Sequence, residues 1–248
     1  MNKRHLSTDR AYRDSVRPHE GEVRFQVAVE QTDLLIVAER DLQAEIASFV
    51  SQVRGDIKNW IMFHPEFAES LVPIEMPAEA PSIIRSMVKA GALCGVGPMA
   101  AVAGAVAQAV GDLFVAESPN ILVENGGDTY LHSTRERVVA LLADPDSGAT
   151  VGLRVEAGEF PVSICASSGT IGHSLSLGSG DLVAVRAKDA RFADAAATAL
   201  CNMLKSETDI DTVLKQAQAL ADSGLDGIFA QYDQKVVAWG NLELVALD

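Results

Sequence analysis

Asp194 and Thr198 stand four residues apart in the stretch Ala187 to Leu204, A-K-D-A-R-F-A-D-A-A-A-T-A-L-C-N-M-L. On a helix that spacing stacks a carboxylate and a hydroxyl on one face. Two hard oxygen donors on one face make half of a Mg²⁺ site. Nearly all their neighbours are Ala, so a phosphorylated ligand or another backbone can come close. A blander reading needs no metal: an Ala-rich helix packs tightly in a core, with Asp194 at its wet edge and Thr198 bonded back to its own backbone.

Two further patches carry related chemistry. The apolar run Asn120 to Glu124 leads into Asn125-Gly126-Gly127-Asp128. Asn-Gly suits a hairpin turn, while the double glycine also lets backbone approach a ligand, with Asp128 at the rim. Later, Ser167-Ser168-Gly169-Thr170-Ile171-Gly172-His173-Ser174 follows a strand-like run. Its hydroxyls and glycines suit a phosphate-binding turn, and His173 suits a proton donor. A serine hydrolase using Ser168 and His173 is a poor fit, because the G-x-S-x-G elbow is absent. Gly95 to Ala100 formally fits G-x-G-x-x-[GA]. Its approach reads as helix rather than strand, however, and Pro98 removes an amide such a loop would offer. Close helix packing through small residues is the simpler account.

The elements that position these patches follow from periodicity. Gly21–Gln31 and Leu34–Ala38 read as a hairpin with one buried face. Asp41 caps an amphipathic helix past Ile46, Val50 and Val53, interrupted near Gly55 and ending by Phe63 before His64-Pro65; His64 reads as a loop or interface residue. A Pro-rich linker, Pro73 to Pro81, precedes a helix over Ser82–Ala92 and a small-residue helix within Gly91–Ala116. Strands follow from Asn120 to Ala166, with a turn at Asp144-Pro145 and Ser147-Gly148, and another strand spans Asp181–Arg186. Asp189 caps the Ala-rich helix, and Thr208-x-x-Asp211 reads as a capping box for a helix through Leu220. Ile228–Tyr232, Val236–Trp239 and Leu242–Ala246 form a terminal meander. Strands grouped in runs rather than alternating with helices predict an α+β fold, with mixed or antiparallel sheets packed against helices.

Composition sets the bounds. The chain has 248 residues, 48% of them hydrophobic, enough for a substantial aliphatic core. A net charge of −14 argues against a general nucleic-acid binder. Any phosphate ligand must therefore meet backbone amides and a divalent cation rather than a basic patch. Cys94, Cys165 and Cys201 are widely spaced in apolar surroundings, as for buried thiols in a reducing compartment. No run reaches the roughly 18 apolar residues of a membrane span, and Met1–Glu20 is a polar, Arg-rich arm without a signal core. These features predict a cytoplasmic protein without membrane or nucleic-acid partners. Arg4, Arg10, Arg13 and Arg17 of the arm read as solvated charge, with contact to an anionic ligand as the alternative.

In order along the chain, Val123-Glu124-Asn125-Gly126-Gly127-Asp128, then Ala166-Ser167-Ser168-Gly169-Thr170, then Ala193-Asp194-Ala195-Ala196-Ala197-Thr198 resemble the ApbE-like superfamily of FAD:protein FMN transferases. The resemblance covers roughly Gly91 to Leu204 and implies one ApbE-like α+β domain over residues 21–248, with a possible subdomain boundary near 73–81. It implies Mg²⁺ held by Asp194 and Thr198. Gly126, Gly127 and Asp128 would border an FAD or other flavin nucleotide, and Ser167, Ser168, Gly169 and Thr170 would contact it. His173 would be the acid or base, standing in for the histidine of the H-x-x-D-P-x-[ST]-G segment that this chain lacks. The Lys-Gly that usually opens the helix before the first patch is also missing.

Three functions remain open from the sequence. One is a metal-dependent enzyme that moves FMN to an acceptor protein, transfers a phosphoryl group or cleaves FAD. The second is a flavin- or nucleotide-binding module without turnover. The third is an assembly protein, such as a homo-oligomer, whose small-residue helices pack on a partner subunit.

Overall fold

A computed structural model describes residues 13, 16–76, 79–141, 150–169 and 182–247. Two helix-bearing segments interrupt the strands. The chain opens with β1 (Val23–Val29) and β2 (Thr32–Ala38), followed by α1 (Gln43–Phe63), α2 (Glu66–Glu69), α3 (Ser82–Cys94) and α4 (Val102–Phe114). Then come β3 (Ile121–Asn125), β4 (Asp128–His132), β5 (Arg137–Leu141), β6 (Thr150–Val155), β7 (Val162–Ser167) and β8 (Leu182–Ala187). The chain closes with α5 (Ala190–Met203), α6 (Ile210–Ala219), β9 (Leu225–Tyr232), β10 (Lys235–Gly240) and β11 (Glu243–Leu247).

Eight strands form one sheet in the order β1-β2-β3-β4-β7-β8-β9-β10, and three form a second in the order β11-β6-β5. All the pairings are antiparallel, which is the α+β arrangement the strand grouping predicts.

The large sheet is covered on both faces, and the period-2 alternation of its strands shows how. On β8, Val183, Val185 and Ala187 join Cys165, Ile228 and Ala230 under α5 and α6. The intervening Leu182 and Ala184 join Ile164 and Phe229 against Leu141, Leu153 and Val155 of the small sheet. Coverage of both faces explains why β8 is buried throughout and reads as a continuous apolar run. A third cluster packs α1, α3 and α4 on β1–β4 and includes residues on both sides of the Pro-rich linker, among them Ile46, Val50, Ile84 and Met87.

Three local expectations need correction. Helix α1 runs unbroken through Gly55. Its buried stripe Ile46, Val50, Val53, Ile57 continues past the glycine, and a mid-helix Gly costs only about 1 kcal/mol relative to Ala. The capping box is Ser206 with Asp209, two residues before the expected pair. The last three strands are not one meander. After Gly240, at φ 88°, the chain turns away from β10, and β11 pairs with β6 in the other sheet.

Among the described residues, no single helix is long and apolar enough to cross a membrane.

Candidate functional site

Helix α5 begins as its sequence requires. The Asp189 carboxylate accepts the amides of Arg191 at 2.9 Å and Phe192 at 3.2 Å, filling two of the donors a helix start leaves unpaired. Gln108 of α4 binds the same end, its Oε1 accepting the Ala190 amide at 2.8 Å. The two helices meet at Gly104. A Cβ there would lie 2.1 Å from the Ala190 carbonyl oxygen and 2.9 Å from Asp194 Cβ. Gly104 of the small-residue helix α4 is therefore spent on α5 of the same chain.

That close approach brings Asp194 to the start of α4, where its Oδ2 accepts the Gly104 amide at 2.9 Å. Asp194 is buried, not at a wet edge. At a helix N-terminus the unpaired amides and the helix dipole favour the charged form of its carboxyl. Thr198, one turn further on, is half-buried.

The Asn125-Gly126-Gly127-Asp128 stretch is the hairpin turn joining β3 and β4. Gly126 and Gly127 take φ of 71° and 110°, and Asn125 pairs with Asp128. Positive φ at both central positions fits the twist of the flanking strands and requires glycine-like freedom. The turn is also tied to the helix pair, because Asn125 Nδ2 donates to the Ala103 carbonyl at 3.1 Å. Glu124 Oε1 accepts the Gly127 amide at 2.8 Å, and Glu124 Oε2 lies 2.6 Å from the Arg13 guanidinium. Both Arg13 and Glu124 are buried. Arg13 of the arm is thus a structural partner of the turn rather than solvated charge.

Asp128 begins β4 buried and joins the patches together. It lies close enough to Cys165 and Ala166 of β7, and to Asp194 of α5, for these groups to act on one another's ionisation. The turn, the end of β7 and α5 therefore converge at the start of α4. Ser167 is buried there, and Ser168 and Gly169 are half-buried as the strand ends. Thr170 and His173 lie outside the described residues, as does the Asp144–Gly148 turn.

The electrostatics are unusual for two carboxylates. Burial raises the Asp194 pKa well above the usual range, and the neighbouring Asp128 charge raises it further; the Gly104 and Ala103 amides work against both. Burial likewise raises Asp128, to about 7, with Glu124 adding to the rise and Cys165 and Ala166 opposing it. The Cys165 thiol is pushed up by burial and then by both carboxylates. Two buried carboxyls coupled in this way ionise together only with a cation nearby.

Asp128 Oδ1 and Ser167 Oγ are buried without a hydrogen-bond partner. Orphaned hard oxygens beside a carboxylate pair fit Mg²⁺ chemically. Among the described residues no third His, Cys, Asp or Glu side chain completes a metal cluster. Hydroxyl, main-chain, phosphate or water oxygens would have to fill the remaining positions.

Cys165 is the buried thiol and Gly104 the close-packing small residue that the sequence predicts, but neither their partners nor a role for Glu124 was read from it. A Glu inside an apolar strand was the available signal for Glu124; the contacts of the other two depend on pairing between distant segments.

Solved structures share this architecture. Flavinyl transferase ApbE of Pseudomonas stutzeri superposes with a TM-score of 0.55 at 13% identity, covering 88% of this chain and 94% of that one. The ApbE protein of Thermotoga maritima gives 0.52 at 13% identity, covering 90% and 96%. The fold is that of the ApbE-like superfamily. Residues 14–233 match the family described as AbpE bacteria, and the chain belongs to it. It is 34% identical over 230 residues to a UPF0280 protein of Methanocaldococcus jannaschii, covering 90% of this chain and 93% of that protein. It is also 34% identical over 227 residues to a UPF0280 protein of Archaeoglobus fulgidus, covering 90% and 94%.

Proposed function

We infer that the protein is a metal-dependent enzyme acting on a flavin nucleotide, with FAD as substrate and a protein hydroxyl or water as acceptor. The observation that carries this reading is Asp194, bonded to the first turn of α4 and electrostatically coupled to the buried Asp128, with Asp128 Oδ1 and Ser167 Oγ each buried without a hydrogen-bond partner. Its chemistry fits a divalent cation together with a phosphorylated ligand. That neighbours of the same fold are named flavin transferases supports the choice of nucleotide.

Asp194 and Asp128, with Thr198 on the same helix, would hold Mg²⁺, which would supply charge neutralisation at the pyrophosphate. The Gly126-Gly127 turn would border the nucleotide, since glycine lets its main chain come close. Ser167, Ser168, Gly169 and Thr170 would contact the phosphates. The acceptor oxygen forms a bond to the FMN phosphorus, the pyrophosphate P–O bond breaks, AMP leaves, and the acceptor proton passes to His173. Water as acceptor gives FMN and AMP.

A flavin-binding module without turnover is the second reading, favoured by the engagement of Asp194 with Gly104. Incubation with FAD and Mg²⁺, followed by chromatography for AMP, separates the two. The enzyme releases AMP with each FMN formed or transferred, whereas stoichiometric FAD binding without AMP supports the module.

A further inference from the structure

The end of α1 and the chain after it carry an apolar surface outside the site described above. Met62 is 67% exposed, Phe63 75%, Leu71 58%, Val72 63% and Met76 49%. Five of the eleven exposed large apolar side chains among the described residues fall in this one stretch of fifteen positions, so the exposure is concentrated in one segment of the chain. Such patches on soluble proteins mark interaction surfaces.

The segment that bears the patch is fixed in place. Phe67 of α2 is fully buried and anchors it. Trp60 and His64 stack with ring centroids 4.0 Å apart. The Ser70 hydroxyl donates to the Val72 carbonyl at 2.6 Å and accepts the Val72 amide at 3.2 Å. Gly97 lets the segment pack on the loop before α4, since a Cβ there would lie 1.8 Å from the Ser70 carbonyl oxygen. The apolar side chains thus point to solvent from a well-anchored backbone.

Charge identifies the occupant. From residue 59 to residue 84 there is no Lys or Arg, while Glu66, Glu69, Glu75 and Glu79 are all exposed. Apolar anchors among carboxylates, in a segment without Lys or Arg, complement a segment that carries large apolar side chains among Lys or Arg. A second copy would bring acidic rim against acidic rim in a chain of net charge −14. An anionic membrane surface would meet the same repulsion.

We propose that the surface formed by Met62, Phe63, Leu71, Val72 and Met76, edged by Glu66 and Glu69, docks a basic amphipathic segment of a partner protein. This surface is independent of the flavin site. A partner held there would lie beside the Gly97 loop that leads into α4.

The test is fluorescence anisotropy of the full chain with a labelled helical Leu/Lys peptide, and with a Leu/Glu peptide of the same pattern. The Leu/Lys peptide is expected to bind saturably at one-to-one stoichiometry and the Leu/Glu peptide not to bind. Phe63→Ser with Val72→Ser should weaken binding about tenfold or more, as loss of central apolar anchors does. Glu66→Lys with Glu69→Lys should do the same through charge alone, so the two variants test the surface independently, and unchanged melting curves confirm that both stay folded. Binding of the Leu/Lys peptide unaffected by Phe63→Ser with Val72→Ser would reveal diffuse attraction to an acidic chain and overturn the proposal. Self-association in sedimentation, or adhesion to phosphatidylserine vesicles, that this variant abolishes would overturn it in favour of those occupants.

Discussion

The Asp194 carboxylate accepts the main-chain amide of Gly104 at 2.9 Å across ninety positions of sequence. One bond thereby joins the Ala-rich helix α5 to the first turn of α4, and the absence of a side chain at Gly104 permits it. Every other feature of the candidate site is arranged around this junction.

Gly104→Ala should therefore be costly despite its small size. The new Cβ would meet the Ala190 carbonyl oxygen, which is main chain and cannot rotate away. Overpacking of this kind typically costs about 1–3 kcal/mol. A urea melt should show the loss, and wild-type stability in the variant would mean the helices are not in contact here.

Asp194→Asn should separate stability from function. It keeps the side chain's shape but removes a buried titratable group that is coupled electrostatically to Asp128. The metal-free variant is expected to melt no lower than wild type, because leaving one carboxylate alone relieves repulsion. Stabilisation by Mg²⁺ in a thermal-shift assay should disappear.

The pH dependence has a definite sign. Asp128 is raised to about 7 in the folded protein, against about 3.9 when unfolded. Between these values the folded state holds the extra proton, so this group's contribution to stability falls as pH rises from about 4 to about 7 and then levels off. Asp128→Asn removes this group's share of the slope, while the buried Asp194 keeps its own. The difference between wild-type and variant stability across that window, measured at several pH values without metal, gives the part of the titration of the Asp128–Asp194 pair that depends on Asp128.

Arg13→Ala should loosen the turn from a distance. Arg13 lies 2.6 Å from the buried Glu124, whose other oxygen holds the Gly127 amide at 2.8 Å. Removing one partner of a buried ion pair costs about 3–5 kcal/mol. Adding Glu124→Gln should recover part of the loss, giving a double-mutant coupling that independent residues would not show.

Local signals carried much of this structure. The hairpin periodicity before residue 38, the cap at Asp189 and the glycine turn at Asn125–Asp128 were legible because neighbouring residues decide them. The three motif patches identified the superfamily, and the strand grouping identified the fold class. The pairing of β11 with β6, the burial of Arg13 and the bond between Asp194 and Gly104 were not legible. Each depends on segments far apart in sequence, and nothing in a local pattern encodes which strand is met. Gly55 misled in the opposite direction, since the apolar stripe of α1 outweighs one unfavourable residue.

The most direct test of the site is an FAD titration of the purified chain with and without Mg²⁺, followed by flavin fluorescence, in wild type and Asp194→Asn. Tight binding that requires Mg²⁺ in wild type and is lost in the folded variant is the predicted result. Equal FAD affinity with and without Mg²⁺ in both proteins, or no binding in either, would contradict a metal-assisted flavin site at the junction of α4 and α5.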